Sequence, residues 1–416
     1  MAEQHEKALV PQIRFAGFTD PWEQRKLGEV ATFGGGHTPS MSDSDNYEGG
    51  NVLWVTSQDV KSHYLDGTTT QITEKGAKEL TLYPAGSLVM VTRSGILRHT
   101  LPVAELRKPS TVNQDIRVIL PQENYYGQWL LQFFISRNKE LLLEFGKTGT
   151  TVESVDFSKM RDMVLLTPSL PEQQQIGRYF ARLDNLITLH QRKYDKLCVL
   201  KKSMLDKMFP KGGSLYPEIR FAGFTDPWEQ RKLGEVARRV TRKNENGDSD
   251  LPLTISAQYG LVDQRTFFNS QVASKDMSGY FLLHRGEFAY NKSTSTDSPW
   301  GAIKRLEKYD MGCVSTLYIC FELLSGDPDF LVTYYETDRW YKSVQLIAAE
   351  GARNHGLLNI APDDFFETQI CIPKRIDEQR RIGAFFDRLD SLITLHQRKL
   401  ELLRNIKKSM LDKMFV

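Results

Sequence analysis

The chain is short of the residues that most chemistries require. Its four cysteines (Cys198, Cys313, Cys320, Cys371) are scattered with no Cys-x-x-Cys pair, which argues against a disulfide framework and a thiolate zinc site. No run of about 18 apolar residues occurs, so no transmembrane helix is expected. Met1–Val10 is too polar for a signal peptide, and a cytoplasmic location follows as the expectation. An excess of one charge sign is also missing: 54 Lys and Arg against 52 Asp and Glu leave a net charge of +2, less than a protein that binds DNA alone usually carries. There is no Gly-x-x-x-x-Gly-Lys-Ser/Thr phosphate loop, no Gly-x-Ser-x-Gly elbow and no nuclease carboxylate cluster. Asp20-Pro21-Trp22, Asp226-Pro227-Trp228 and Ser298-Pro299-Trp300 each lack the second proline of an adenine methyltransferase motif. Phe33-Gly34-Gly35-Gly36-His37 lacks the glycine spacing of its cofactor loop. The chain is therefore expected not to be an enzyme and to hold no cofactor or metal. His190 and His396 have no ligand-type residue one turn away that would change this.

What the chain does have is ordinary globular composition, 40% hydrophobic and 25% charged over 416 residues, enough for two or more domains. It also has a long internal repeat. Pro11–Ala31 (PQIRFAGFTDPWEQRKLGEVA) returns 206 residues later as Pro217–Ala237 with one difference, Gln12 against Glu218. Glu172–Phe209 returns at the same offset as Glu378–Phe415, with 26 identities in 38 positions. Between these anchors Thr32–Leu170 and Arg238–Ile376 share little. Two copies of some 200 residues are duplicated half-molecules rather than a solenoid, and imply a pseudo-two-fold repeat. Near-identical anchors around divergent blocks suit common docking surfaces that carry two different recognition modules. In the two Asp-Pro-Trp segments, Trp22 and Trp228 are expected to pack on a neighbour.

Glu172–Phe209 and Glu378–Phe415 read as amphipathic helices. Ile176, Phe180, Leu183 and Ile187, like Ile382, Phe386, Leu389 and Ile393, fall three, four and seven apart on one stripe. A helix of about 35 residues spans roughly 50 Å, and two with matching stripes should pair as a coiled coil. His190–Lys193, copied at His396–Lys399, interrupts the stripe and would mark a skip or bend. Each helix carries a charge of +4, so the rest of the chain is near −6. That excess suits a solvated face, a stretch near phosphates or a docking face for an acidic partner.

The variable blocks read as mixed β with some helix. Strands are expected in Asn51–Thr56, Ser87–Thr92 and Asp115–Leu120, and in Leu251–Ser256, Gly286–Tyr290 and Ser315–Phe321. Helices are expected over Gly127–Glu144 and Asp329–Leu346. Each block ends in a Gly-containing polar turn, Gly146–Val152 and Gly351–Leu357. A strand into a proline follows, Met163–Pro168 and Glu367–Pro373. The parallel order suggests one shared fold.

Several motifs in this order resemble the specificity (S) subunit of type I restriction–modification systems. They are Gly35-Gly36-His37-Thr38-Pro39-Ser40 with Tyr47–Val55 and Ser57–Val60; Pro84–Val89 leading to Thr92-Arg93-Ser94-Gly95; Thr111-Val112-Asn113-Gln114; and the runs Glu172–Ile176 and Asp377–Ile382 that head the long helices. The resemblance covers essentially the whole chain. It implies an α+β architecture in which two mixed α/β target-recognition domains are separated by two long helices forming an antiparallel coiled coil. The expected divisions are an arm and first anchor at 1–31, target-recognition domains at 32–170 and 238–376, a central helix and linker at 171–216, the repeated anchor at 217–237 and a final helix at 377–416.

The resemblance further implies double-stranded DNA as ligand, each domain reading half of a bipartite, asymmetric site and the helices setting the spacer. Two methyltransferase subunits would bring S-adenosylmethionine chemistry to adenine, and restriction subunits would bring ATP and magnesium. Sharing phosphate contacts with such partners reconciles the low net charge with DNA binding. Base readout calls for donors and acceptors on loops. The candidates are Ser57, Gln58, Arg93, Ser94, Arg98, Lys147 and Thr148 in the first domain, and Gln258, Tyr259, Lys292, Ser293, Arg353, Asn354 and His355 in the second. A specificity subunit of a related type II system and a protein-binding coiled-coil scaffold remain open on the residues alone.

Overall fold

The computed structural model describes residues 10–149, 152–256, 259–268, 274, 276–296, 298–348 and 356–415. The chain forms two units. One combines Met1–Gln191 with Arg398–Val416, and the other is Arg192–Gln397. Each unit therefore draws on both long helices, Leu170–Lys207 and Ile376–Met414.

In the first unit the anchor supplies β1 (Glu23–Lys26), a one-turn helix Leu27–Val30 and β2 (Ala31–Gly34). The variable block contributes β3 (Val52–Val55), β4 (Tyr64–Leu65), β5 (Leu88–Val91), β6 (Val103–Leu106) and β7 (Ile116–Pro121). It closes with β8 (Val164–Thr167), which pairs antiparallel with β1. The main sheet has the order β2-β7-β5-β6-β4. Residue alternation along β5 explains why that strand is apolar throughout. Leu88 and Met90 join the cluster that contains the long helices, while Val89 and Val91 join a second cluster with Val55, Leu106 and Val118.

The second unit repeats this plan with unrelated residues. Its anchor strand β9 (Glu229–Lys232) pairs with β15 (Gln369–Ile372). Its sheet runs β10 (Ala237–Val240), β14 (Ile319–Leu323), β12 (Phe288–Asn291), β13 (Ala302–Arg305), the same order with no equivalent of the short β4 among the described residues. β11 (Leu253–Ser256) occupies the place of β3. Again Phe288 and Tyr290 face one cluster and Ala289 the other.

The near-identical anchors have a physical reason to match. Arg14 makes a bidentate pair with Glu172, Nε to Oε1 at 2.6 Å and Nη2 to Oε2 at 2.7 Å. Arg220 makes the same pair with Glu378 at the same distances. The next residue closes the other side. Gln173 donates to the Pro168 carbonyl and accepts from the Tyr126 amide. Gln379 does the same with Pro373 and Asp327. The Glu-Gln run that heads each long helix is thus a clamp joining anchor, last strand and variable block. Trp22 packs edge-on to Phe415, and Trp228 packs edge-on to Phe209, so the expected neighbour is the end of a long helix.

Within the first unit Asp184 meets Lys407 and Gln191 meets Arg404, so the two helix segments run antiparallel. Four expectations are corrected. Both helices continue through His190–Lys193 and His396–Lys399 without a break, since none of these residues removes a backbone donor. The helix expected over Gly127–Glu144 is two, Gly127–Ser136 and Asn138–Phe145. It breaks at Arg137, next to the Asn138 side chain, which bonds the Thr100–Leu101 backbone and hydroxyl. Asp329–Leu346 likewise splits into Pro328–Tyr335 and Tyr341–Ile347, where Thr337 turns the chain through its hydroxyl. Ser315–Phe321 holds a turn, closed by Ser315 and Tyr318, before β14 begins.

Candidate nucleic-acid interface

Three loops are laced together at one edge of the first sheet. The Thr92 amide, just past β5, donates to the Asp115 carbonyl, and the Asn113 amide donates to Val55 at the end of β3. The result is an open cavity of about 360 Å³ lined by Ser57, Arg93, Ser94, Gln114, Asp115 and Val152, with Gly95 beside them. Three of the sequence candidates, Ser57, Arg93 and Ser94, thus come together. Gln58 lies exposed on the same loop as Ser57.

Each loop is held by polar groups rather than by packing. The Asp59 carboxylate accepts from the amide and hydroxyl of Thr56, 2.8 Å each, and from the amide and hydroxyl of Thr69 at 2.8 and 2.7 Å. Burial pushes the Asp59 pKa up, but these four donors outweigh it and hold the carboxyl below its ordinary value. Gly36 lets the preceding turn pass against the strand Thr111–Val112, since a Cβ there would meet the Val112 carbonyl oxygen at 1.9 Å. That close passage brings the Thr38 hydroxyl to Gln114 Oε1 at 2.6 Å. Gln114 keeps two unspent amide N–H donors among the described residues, and amide donors are suited to adenine or a carbonyl acceptor. Gln114 was part of a quoted motif but not of the candidate set; its neighbour Asn113, which turns the chain onto Asp115, was the available signal.

The segment after the polar turn returns to this edge. Ser154 bridges Arg93, the Ser94 amide donates to Glu153, and the Val155 amide donates to Thr92. Arg98 is ion-paired with Glu153, and Lys147 with Asp156 at 2.8 Å. Both acids lie below their ordinary pKa, in each case chiefly through the side-chain bond from that cation. Arg93 is exposed and has no ion-pair partner among the described residues. Thr148 is exposed near the turn.

The second unit places the same device at its own edge. Ser293 bridges Leu357, the Thr294 amide donates to Gly356 at 2.7 Å, and the Leu358 amide donates to Lys292. Lys292 spends its ammonium on the Ile360 carbonyl at 3.2 Å, and burial lowers its pKa. Ser293 and Tyr259 are exposed, and the Lys308 ammonium lies 5.5 Å from the Tyr259 ring. Gln258, Arg353, Asn354 and His355 lie outside the described residues. Among the described residues no group of three or more His, Cys, Asp or Glu is placed to hold a metal, and no helix is long and apolar enough to cross a membrane.

The basic excess of the long helices is partly spent inside each unit. Lys407 pairs with Asp184, and Lys201 pairs with Asp390 and Glu336.

Residues 19–198 match the family described as Type I restriction modification DNA specificity domain. The chain is 31% identical over 186 residues to the type I restriction enzyme EcoR124I/EcoR124II specificity subunit of Escherichia coli, covering 42% of this chain and 46% of that protein. It is 25% identical over 234 residues to the MjaIX specificity subunit of Methanocaldococcus jannaschii, covering 54% and 53%. The chain thus matches about half the length of these curated relatives. The type I restriction–modification S subunit of M. genitalium, seen in a crystal structure, superposes with a TM-score of 0.61 over 98% of this chain and 99% of that one, at 11% identity, a likeness of fold. Residues 19–198 are therefore similar to the type I restriction modification DNA specificity domain, and the chain as a whole shares the fold of a type I S subunit.

Proposed function

We propose that this chain is the non-catalytic DNA-reading subunit of a type I restriction–modification complex. Each variable block reads one half of a bipartite, asymmetric site, and the paired helices set the unspecified spacer. The observation that carries this reading is the repeated sheet edge. Two modules with the same strand order and unrelated residues present polar loops, knitted in the same way, above anchors that are nearly identical. The anchors match while the blocks they carry differ, as a reader of two different half-sites requires.

Two methyltransferase subunits dock on the repeated regions and bring S-adenosylmethionine. Adenine must leave the stack to be methylated, and that step belongs to them. Restriction subunits bring ATP and magnesium for cleavage. Shared phosphate contacts supply the affinity that a net charge of +2 does not.

The test is coexpression with the cognate methyltransferase in a methylation-free host, followed by genome-wide mapping of modified adenine. One bipartite motif, lost when this chain is omitted, is expected. Replacing residues 238–376 with another such block should change one half-site only. A soluble complex that leaves no new methylation would overturn the proposal.

A further inference from the structure

Both units hold one aspartate–lysine pair between their two helix segments, largely buried in the first and with Asp390 half-exposed in the second. In the first unit Lys407 Nζ lies 2.6 Å from Asp184 Oδ1. In the second, Lys201 Nζ lies 2.6 and 2.8 Å from the two oxygens of Asp390. Asp184 and Asp390 are the same position of the repeat, as are Lys201 and Lys407. The helices therefore offer the same ion pair to each variable block.

A pair taken out of water must have its remaining donors and acceptors satisfied, or it costs more than it returns. Each block meets that demand from the opposite side. In the first unit the Tyr64 hydroxyl of β4 donates to Asp184 Oδ2 at 3.0 Å, and Gln132 Nε2 lies at 3.3 Å from the same oxygen. In the second unit Glu336 Oε2 lies 2.8 Å from Lys201, the third partner of that ammonium. One block is tied to the carboxylate, the other to the ammonium. Among the described residues β4 has no counterpart in the second sheet.

We infer that this Asp–Lys pair is a docking key, and that Tyr64 and Glu336 are positioning residues that fix the seat of each target-recognition domain on its helix pair and thereby the spacer length the protein accepts. The spacer part rests on the bipartite reading proposed above. The physical basis is the difference between the two kinds of contact at this junction. Apolar packing of Phe180, Leu183 and Trp129 tolerates small sliding, whereas a hydrogen bond to a buried charge is directional and loses its value within a few tenths of an ångström. Burial works against the Lys201 ammonium, yet Glu336 and Asp390 together hold its pKa above the ordinary lysine value.

The test uses the full chain in its complex with methyltransferase, as wild type, Tyr64→Phe and Glu336→Gln. Each change removes a polar atom or charge and keeps the shape; Tyr64→Phe also keeps the ring under Arg107. Adenine methylation is mapped at copies of the motif whose spacer is one base pair shorter or longer. The variants should methylate these copies roughly tenfold above wild type, the scale of one hydrogen bond to a charge, with the half-sites unchanged. A variant that loses methylation evenly and keeps its spacer preference would show a stability role only and overturn the inference. Amide exchange gives a second reading that needs no DNA. Tyr64→Phe should speed exchange across residues 127–136 roughly tenfold while the β1–β8 ladder is unchanged. Absence of any bipartite motif with the wild type would sink the functional proposal, and unchanged exchange would sink the docking key.

Discussion

Arg93 and Arg98 stand five residues apart, and only one has its charge free for a ligand. Arg98 is spent on Glu153, while Arg93 has no such partner among the described residues and faces the cavity with Ser57 and Gln114. Arg93→Ala is therefore expected to lower discrimination at one base of the first half-site by about 1–3 kcal/mol. Arg98→Ala should leave the ranking of bases unchanged. Methylation rates on duplexes that carry each base at each half-site position distinguish the two. Asp59 governs the same loop. Its folded pKa is depressed, so the four bonds it accepts contribute fully above the ordinary carboxylate value of about 4 and are lost as pH falls through the folded value. Amide exchange at Thr56 and Thr69 should accelerate over that acid range, and Asp59→Asn should bring the acceleration to neutral pH. That Ser57, Gln58 and Ser94 lie on loops was legible in the sequence; that Arg98 ends a 3-10 turn and Lys147 sits in a short strand, and how each spends its charge, was not. Lys292 was among the candidate base readers, and the Ile360 carbonyl that accepts its hydrogen bond lies 68 residues away.

Among the elements, the long helices show why sequence patterns carry as far as they do. The three-and-four spacing of Ile176, Phe180 and Leu183 marks a face that is buried. The helix breaks at Arg137 and at residues 336–340 were not legible, because they answer to tertiary contacts such as Asn138 with Leu101. Gly177 is a case where two local rules oppose each other. Alanine in a helix interior ordinarily gains about 1 kcal/mol over glycine. Here a Cβ would meet the Tyr126 ring at 2.7 Å and the Trp129 backbone nitrogen at 2.9 Å, and the same holds for Gly383 against the Phe330 nitrogen at 2.7 Å. Overpacking of this kind costs about 1–3 kcal/mol, so Gly177→Ala should lower the urea midpoint of the first unit rather than raise it. The helix ends are equally sensitive. Phe415 packs on Trp22, Trp129 and Phe180, and Phe415→Ala should cost about 3–5 kcal/mol in the same measurement.

For the whole molecule, the repeat made the duplicated plan visible before any coordinate, and near-identity in the anchors foretold near-identity in the Arg14–Glu172 and Arg220–Glu378 clamps. It did not reveal that the units exchange helix halves, since a repeat does not say which copy a segment packs against. Arg14→Ala leaves the fully buried Glu172 carboxylate unpaired and should cost about 3–5 kcal/mol in urea unfolding of the first unit, as Arg220→Ala should in the second.

The division of the chain into Arg192–Gln397 and the two flanking pieces also fixes an order of birth on the ribosome. The second unit is continuous and can close once residue 397 has emerged. The first unit, though made first, must wait for Leu411, Met414 and Phe415 to fill its core. At about 5–20 residues per second that wait is roughly 10–45 s, during which an unfinished apolar socket is open to chaperones and to other nascent chains.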